Sequence, residues 1–301
     1  MRDRCAICVD SQTAATSVWI TSNTVMPSRT AILAAYGIHV NGLAAGATIQ
    51  DNNIYYRSSG APGLGARGLY ASNSSGLLIA RNRINQPGMQ SGGNYIAVGF
   101  SGVQNSSFKF NDVFSSATVG TGYLLELVSS TVTVRNNVFV SSYPASGDVV
   151  SISEDSGFLA DYNDYLNSSF PLYLRLAALP YIFPWNASVG ADAHSVNGHP
   201  YWASTSGGAE DFHLQSSAGR YNPATQAFDL FDALDSPVID LADPAEPFAL
   251  EPAQNGGAAN MGSYGSTAEA SKSAAAFCPV VRKVCKSDLC AYRTIQRALD
   301  A

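Results

Sequence analysis

The chain has 301 residues, of which 17 are Lys or Arg and 23 are Asp or Glu, so only 13% are charged. An ordinary soluble domain carries about a quarter. No run of about 18 uncharged apolar residues occurs, which argues against a transmembrane segment. No segment concentrates Lys and Arg, which argues against a nucleic-acid partner. Gly, Ser, Thr and Asn take the place of the missing charges, and this composition predicts an all-β protein with many turns.

Residues 1–16 form an N-terminal segment that precedes the first regular pattern and contains Cys5 and Cys8. A structural zinc ion needs four ligands, and no second pair with this spacing follows. We therefore expect a disulfide or free thiols here, and the pairing of the five cysteines stays open. They are Cys5, Cys8, Cys278, Cys285 and Cys290. The segment lacks the apolar stretch of a signal peptide, so export is signalled elsewhere or the chain is a fragment.

A repeat organises residues 17–169. Its unit is an apolar residue, two variable residues, Asn, one variable residue and another apolar or aromatic residue, as in Ile49-Gln-Asp-Asn52-Asn-Ile54. The six copies have their asparagines at Asn23, Asn52, Asn82, Asn111, Asn137 and Asn163, which are 29, 30, 29, 26 and 26 residues apart. A nearly constant period of this length indicates a solenoid in which each repeat is one coil.

A second short apolar stretch precedes each asparagine from the second copy onward, and no helical pattern lies between the two. Short strands without connecting helices fit stacked coils about 4.8 Å apart. Asn tolerates the left-handed backbone conformation of a sharp corner, and stacked amides can form hydrogen bonds from coil to coil. We therefore interpret the six asparagines as a structural ladder.

This pattern resembles the right-handed parallel β-helix superfamily, which includes pectate lyases, polygalacturonases and bacterial surface solenoids. The resemblance covers residues 17–167 and implies about six coils. It also implies a secreted or cell-surface protein with a polysaccharide or cell-surface glycan as partner. The same coil carries lyases, hydrolases and non-catalytic adhesins, so it does not specify an activity.

The period ends after Asn163, and residues 170–265 resemble the irregular C-terminal extension found behind β-helices in large secreted bacterial proteins. An open parallel edge needs a cover, and this extension is expected to supply it. Residues 266–287 have the small, polar composition of a linker. Residues 288–301 form an amphipathic helix similar to the cap that begins a β-helix, so the chain is expected to be part of a larger polypeptide. The alternative is a helix that folds back on this solenoid.

Metal binding is predicted only weakly. Asp240, Asp243 and Glu246 lie close together, and calcium prefers such oxygen-rich loops. Because the loop lacks the Gly and ligand spacing of an EF-hand, a solvated acidic surface is the favoured interpretation, with calcium as the alternative. No other cofactor is expected. The four histidines have no zinc spacing and are interpreted as turn and packing residues; they are His39, His194, His199 and His213.

Candidate catalytic residues follow from the columns that stacked coils create. We assign catalysis to Lys109, Arg135 and Asp112, since a cationic pair beside a carboxylate can bind an acidic sugar and abstract a proton next to its carboxyl group. Neighbouring positions give the substrate-binding candidates Arg83, Glu126, Asp161 and Asp164. The alternative is that outward charges only keep a parallel sheet soluble.

Family motifs for catalysis are missing. The chain has no adjacent Asp-Asp, no Gly-His-Gly and no Arg-x-Lys, which a polygalacturonase-like hydrolase would contain. Val18-Trp-Ile20 is similar to the Val-Trp-Ile-Asp-His stretch of pectate lyases, but Thr21 and Ser22 replace its Asp and His.

The sequence therefore favours a secreted or surface β-helix protein that binds polysaccharide. Two alternatives stay open: a polysaccharide lyase or glycoside hydrolase acting on a uronate-rich glycan, and a non-catalytic architectural or adhesin module. Tyrosines that could stack on sugars are Tyr55, Tyr56, Tyr70 and Tyr95.

Overall fold

The computed structural model describes most of the repeat region and the extension. The described residues are 4–10, 17–26, 35–55, 66–86, 95–116, 122–141, 147–153, 156–167, 172–174, 177–179, 182–206 and 208–274. The predicted helix at 288–301 and most of the predicted linker lie outside these residues. No helix among them has the length and apolar content needed to cross a membrane.

Three parallel sheets of six strands form a solenoid, with the strands numbered in chain order. Sheet A holds β1 (Arg4–Asp10), β4 (Ala35–Asn41), β7 (Ala66–Ser72), β10 (Tyr95–Ser101), β13 (Gly122–Val128) and β16 (Gly147–Ile152). Sheet B holds β2 (Val18–Thr21), β5 (Ala47–Gln50), β8 (Leu77–Ala80), β11 (Ser106–Lys109), β14 (Thr131–Arg135) and β17 (Gly157–Asp161). Sheet C holds β3 (Thr24–Val25), β6 (Asn53–Tyr55), β9 (Arg83–Gln86), β12 (Asp112–Ser115), β15 (Val138–Ser141) and β18 (Asp164–Asn167).

Each strand pairs with the strand three positions along the chain, so every coil contributes one strand to each sheet. The predicted all-β parallel solenoid is confirmed. Four inner coils have neighbours on both sides, and an end coil lies beyond them at each end of the stack. Cys5 and Cys8 of the first coil form a disulfide.

The six repeat asparagines form a hydrogen-bonded ladder at the corner between sheets B and C. In a typical rung, the backbone N and Nδ2 of Asn82 donate to Oδ1 of Asn111 at 2.9 and 3.0 Å. The last rung ends in the extension, because N and Nδ2 of Asn163 donate to Oγ of Ser195 and Oδ1 of Asp192 at 2.8 and 3.2 Å. The ladder therefore ties the extension to the last coil.

The left-handed backbone conformation at this corner belongs to the residue before each asparagine, so its assignment to Asn was wrong. The positive-φ residues are Ser22, Asp51, Arg81, Phe110, Asn136 and Tyr162. Each ladder asparagine instead turns its side chain inward, and from Asn52 to Asn163 these residues are fully buried. Their role is to satisfy buried backbone groups, which otherwise would have no partners.

The solenoid core is a stack of aliphatic and aromatic side chains. The rings of Phe108, Phe139 and Tyr165 lie on three successive coils, with centroids 6.1 and 5.3 Å apart. All three side chains are buried. Each coil thus adds one apolar layer to a continuous core.

The extension contains β19 (Leu172–Leu174), β20 (Ala177–Leu179), α1 (Ile182–Val189), β21 (Trp202–Ser204), β22 (Asp211–Leu214), β23 (Arg220–Asn222) and β24 (Ala227–Asp229). It has a second apolar core, in which Trp202, Phe212 and Val238 pack on Phe114 and Val140 of sheet C. Phe114 and Trp202 meet edge to face at 5.7 Å. The extension therefore covers the outer side of sheet C.

Residues 266–274, which composition assigns to a linker, pack into the extension. Ala270 and Ser271 are buried, and Nδ2 of Asn260 donates to the carbonyl oxygen of Ser271 at 2.8 Å. This segment forms part of the site described next.

Candidate functional site

An open polar cleft lies between the corners of the first three coils and residues 263–269 of the extension. Its volume is about 520 Å³, within the range of about 300–1,000 Å³ that is typical of ligand sites. We call it the Arg83 cleft. It is lined by Ser22, Asn23, Thr24, Asp51, Asn53, Arg83, Ser263, Tyr264, Thr267, Ala268 and Glu269.

Arg83 has a cationic head held by neutral acceptors. It follows ladder residue Asn82 at the start of β9 and pairs in register with Asn53 of the preceding coil. Its Nε donates to Oδ1 of Asn53, and Nη2 donates to the carbonyl oxygen of Asp51 at 3.1 Å. Among the described residues, Arg83 forms no ion pair. The guanidinium is therefore oriented without being neutralised.

Tyr264 of the extension lines the cleft next to Arg83. Its ring lies 5.2 Å from Cζ of Arg83 and stacks on His213, with centroids 3.5 Å apart. Burial raises the pKa of Tyr264 to about 12, so its hydroxyl stays neutral at physiological pH. The ring therefore contacts both the guanidinium of Arg83 and the imidazole of His213.

Two carboxylates at the cleft differ in their surroundings. Asp51 accepts from Nε and Nη2 of Arg81 at 2.8 and 3.2 Å, which neutralises its charge. The side chain of Glu269 is 46% exposed, and its Oε2 lies 3.6 Å from Nε2 of buried His213. On the other side of the imidazole, Nδ1 lies 2.5 Å from Oδ1 of Asp211. Among the residues that the structure describes, the cleft thus presents one cation without an ion pair, Arg83, and one exposed carboxylate, Glu269.

The predicted catalytic cations contact the extension. Lys109 and Arg135 are register neighbours in sheet B. Nζ of Lys109 lies 2.9 Å from Oε2 of Glu246, and Arg135 pairs with Asp243. These ion pairs neutralise the cationic pair and attach the extension to the solenoid.

Asp161, the next residue in that column, also binds the extension. Its Oδ2 lies 2.8 Å from Nδ1 of His194, and its Oδ1 accepts from the backbone N of His194 at 2.7 Å. Tyr162 stacks on the same imidazole with ring centroids 4.7 Å apart. Asp161 therefore lies at the docking surface and outside the Arg83 cleft.

Asp112 and Asp164 are buried under the extension. Oδ2 of Asp112 accepts from the backbone N of Ser263 at 2.8 Å, and Oδ1 of Asp164 accepts from the backbone N of Gly198 at 2.7 Å. Burial raises the pKa of Asp112 to about 7 and that of Asp164 well above its usual value. Each side chain is at most 1% exposed, so neither contacts solvent directly.

Glu126 lies on sheet A, apart from the other candidates. Burial raises its pKa, and the charge of nearby Arg67 opposes that rise. The same face carries Tyr70, whose ring lies 4.2 Å from Cζ of Arg67. Tyr95 belongs to the core. Tyr55 is half-buried near Glu210. Tyr56 lies outside the described residues.

Sequence reasoning identified Arg83 but missed the other side of the cleft. Tyr264 and Glu269 belong to the aperiodic part of the chain, where no column can be drawn. The only local signal is an aromatic and an acid within a run of small residues, Gly262-Ser-Tyr264-Gly-Ser-Thr-Ala-Glu269. His213 was interpreted as a packing residue; it is fully buried against Tyr264.

The acidic residues considered for calcium have protein partners. Asp243 and Glu246 form the ion pairs described above, and Oδ2 of Asp240 accepts from Oγ of Ser273 at 2.6 Å. No group of three or more His, Cys, Asp or Glu side chains is placed to hold a metal ion in the described part of the chain.

Comparison with models of protein families assigns the repeat region to a known family. The family model described as "Right handed beta helix region" matches residues 5–170, more than half of the chain. The search of the curated proteins and the search of the solved structures found no match to this chain.

Proposed function

Because this chain belongs to the right-handed beta helix family, we propose that it is a secreted or cell-surface protein that binds an acidic polysaccharide in the Arg83 cleft. The observation that carries this proposal is the guanidinium of Arg83, which is held in an open cleft by two neutral acceptors. A planar guanidinium binds a carboxylate or sulfate with two parallel hydrogen bonds.

The other groups of the cleft suit the rest of a sugar chain. Ser22 and Thr24 are exposed hydroxyl residues beside the amide of Asn23. Sugar hydroxyls both donate and accept hydrogen bonds, and such side chains can satisfy both roles. The cleft crosses three stacked coils, which span about 10 Å. An extended ligand could therefore lie in it along the solenoid axis.

Replacing Arg83 tests this function. We expect Arg83→Gln to weaken the binding of oligogalacturonate by about 10- to 100-fold, since a hydrogen bond to a charged group is worth about 1.5–3 kcal/mol. Isothermal titration calorimetry at fixed salt measures the change, with neutral gluco-oligosaccharides as the comparison ligands.

Arg67→Gln is the matched control, because it removes the same charge from sheet A, away from the cleft. It should leave affinity within about twofold. If both variants lose affinity equally, the loss reflects net charge alone, and the cleft is not the binding site. Absence of binding to any oligosaccharide on a broad glycan array would favour an architectural or adhesin module.

Glu269 favours a second candidate function, a polysaccharide lyase or glycoside hydrolase. Its carboxylate is half exposed in the same cleft and is backed by His213 and Asp211. Such a carboxylate can accept or donate a proton at a bound sugar. Incubation with uronate polymers tests this function, with unsaturated or shortened products as the readout and Glu269→Gln as the control. Binding without any product would leave the protein a non-catalytic binder.

A further inference from the structure

Asp240 holds the loop of residues 254–257 in the extension. Its Oδ1 accepts the backbone N–H of Gly256 at 3.0 Å, and its Oδ2 accepts from Oγ of Ser273 at 2.6 Å. A Cβ at position 256 would lie 2.3 Å from Oδ2 of Asp240, so a side chain there would have to displace the carboxylate. The glycine thus lets a carboxylate bind directly to the peptide nitrogen that follows Asn255.

The side chain of Asn255 bends toward the same peptide. Its Oδ1 accepts the backbone N–H of Gly257 at 3.2 Å, so the amide group folds forward along the chain. This hydrogen bond also stabilises the negative charge that develops on Oδ1 when a nucleophile attacks Cγ. Gly256 and Gly257 are exposed, so water reaches the loop. A nucleophile, a base and an oxyanion donor therefore surround one side-chain amide.

We propose that Asn255 and Gly256 form a self-modifying site, at which the chain converts Asn255 to aspartate or isoaspartate with Asp240 as the general base. The backbone N of Gly256 attacks Cγ of Asn255, and its proton passes to Oδ1 of Asp240. The bond from Cγ to Nδ2 breaks, and Nδ2 leaves as ammonia with that proton. One water molecule then opens the cyclic imide at either of its two carbonyl carbons. The reaction consumes one water and releases one ammonia, with no oxidation or reduction.

The chain contains two further asparagine–glycine steps, and the first of them lies at the end of a strand of sheet A. The backbone N–H of Gly42 donates to the carbonyl oxygen of Ser72 at 3.0 Å, and an amide carbonyl is not a general base. Oδ1 of Asn41 accepts from Oγ of Ser72 at 2.9 Å, and its Nδ2 donates to Asp10 at 3.1 Å. These bonds hold the Asn41 side chain between neighbouring coils, so we expect this step to react slowly.

The second step, Asn197 with Gly198, is enclosed by the last coil. Nδ2 of Asn197 donates to the carbonyl oxygen of Tyr165, which fixes the side chain on β18. Oδ1 of Asp164 accepts the backbone N–H of Gly198 at 2.7 Å, but burial favours the neutral form of this acid and raises its pKa. Gly198 is buried as well, so water has no direct access to an imide there. Both steps serve as internal controls for Asn255.

The modification weakens the contacts that hold Ser273. The backbone N of Ser273 donates to the carbonyl oxygen of Gln254 at 2.6 Å, next to its bond with Asp240. A new carboxylate at position 255 repels Asp240, and isoaspartate also lengthens the backbone before Gly256. Hydrogen exchange at Ser273 should therefore be faster after conversion, and unchanged exchange would contradict this effect. Polysaccharide binding plays no part in the reaction, so the inference is independent of the proposed function.

Peptide mass spectrometry of the full chain, incubated at neutral pH, tests the site because it distinguishes an amide from a carboxyl group at each asparagine. In the folded protein Asn255 should be converted at least about 10-fold faster than Asn41 and Asn197. In urea all three should react at similar rates, since each precedes glycine and the folded geometry is lost. If Asn255 reacts no faster in the folded protein than in urea, the proposal is wrong.

Asp240→Asn tests the base. Its amide oxygen can still accept from Gly256 but cannot take up a proton, so conversion of Asn255 should slow by about 100-fold. If Asp240 only stiffened the loop, its loss would speed the conversion, and an unchanged or faster rate overturns the proposal. Asp235→Asn is the matched control: this carboxylate binds Ser217 in the same extension, and its loss should change the rate by less than about twofold. If Asp240→Asn does not fold, the comparison of folded and urea-denatured wild-type protein decides.

Discussion

Each inner ladder asparagine satisfies several buried groups with one side chain. Oδ1 of Asn111 accepts from N and Nδ2 of Asn82, and its own Nδ2 donates to Oδ1 of Asn137 at 2.9 Å. We expect Asn111→Ala to lower the free energy of unfolding by about 2–4 kcal/mol, because it removes the acceptor of the buried backbone N of Asn82 and the Nδ2 donor to Oδ1 of Asn137. Urea denaturation measures the change.

Ser107→Ala is the control for that substitution. Ser107 lies on the same coil, in β11, but is only partly buried, so its loss should change stability by less than about 0.5 kcal/mol. An equally small effect of Asn111→Ala would contradict the role of the ladder.

The ladder could be predicted because its asparagines must share one side chain and one spacing. The left-handed residue before each asparagine could not be predicted in the same way. Ser22, Arg81 and Phe110 all occupy that position and have no side-chain chemistry in common. The requirement there concerns the backbone, and hydrogen bonds from the flanking ladder hold the conformation whatever the side chain.

At the scale of elements, the extension docks on the solenoid partly through charge. We expect Glu246→Lys to lower the free energy of unfolding by about 1 kcal/mol, because it places a cation against Lys109, whose side chain is 32% exposed. The double variant Lys109→Glu/Glu246→Lys should recover most of that loss. Thermal denaturation at low and high salt measures both.

Salt is the internal control for this prediction. The loss of unfolding free energy in Glu246→Lys should be smaller at 1 M NaCl, where the Debye length is about 3 Å. A double variant that is as unstable as the single one at low salt would show that the Lys109–Glu246 pair does not contribute to docking.

The position of the extension could not be derived from the sequence. The contacts that fix it join residues far apart, such as Lys109 with Glu246 and Asp112 with Ser263, which are 137 and 151 residues apart. Within the solenoid, period and register predicted the Lys109–Arg135–Asp161 column. The extension has no period, so which column it would cover could not be read from spacing.

At the scale of the whole molecule, buried acids make stability depend on pH. Burial raises the pKa of both Asp112 and Glu251 to about 7, and raises that of Asp164. The folded protein therefore retains protons that the unfolded chain releases, and stability should fall as pH rises from about 4 to 7. The upper limit for Asp112 is about 4 kcal/mol. Chemical denaturation at pH 5 and pH 8 measures the difference.

Asp211 makes stability fall at acidic pH as well. Hydrogen bonds from His213 and the charge interaction with His213 outweigh burial and lower the pKa of Asp211. The stability that Asp211 contributes is therefore present above about pH 4 and is lost as pH falls through its folded pKa. The triple variant Asp112→Asn/Asp164→Asn/Glu251→Gln should have a nearly flat profile from pH 5 to pH 8. A wild-type protein that is more stable at pH 8 than at pH 5 would reverse the predicted sign.

The asparagine ladder also gives the solenoid an electrical polarity. Every rung donates toward the later coil, so the amide dipoles align, and their positive end lies at Asn163. There Oδ1 of buried Asp192 accepts from Nδ2 of Asn163 and from Oγ of Ser195, the latter at 2.6 Å. An acid at the donor end of aligned peptide dipoles is the arrangement that stabilises a helix N-terminus. The stack thus has two unlike ends, and a further coil could extend it past Asn163 only by displacing Asp192.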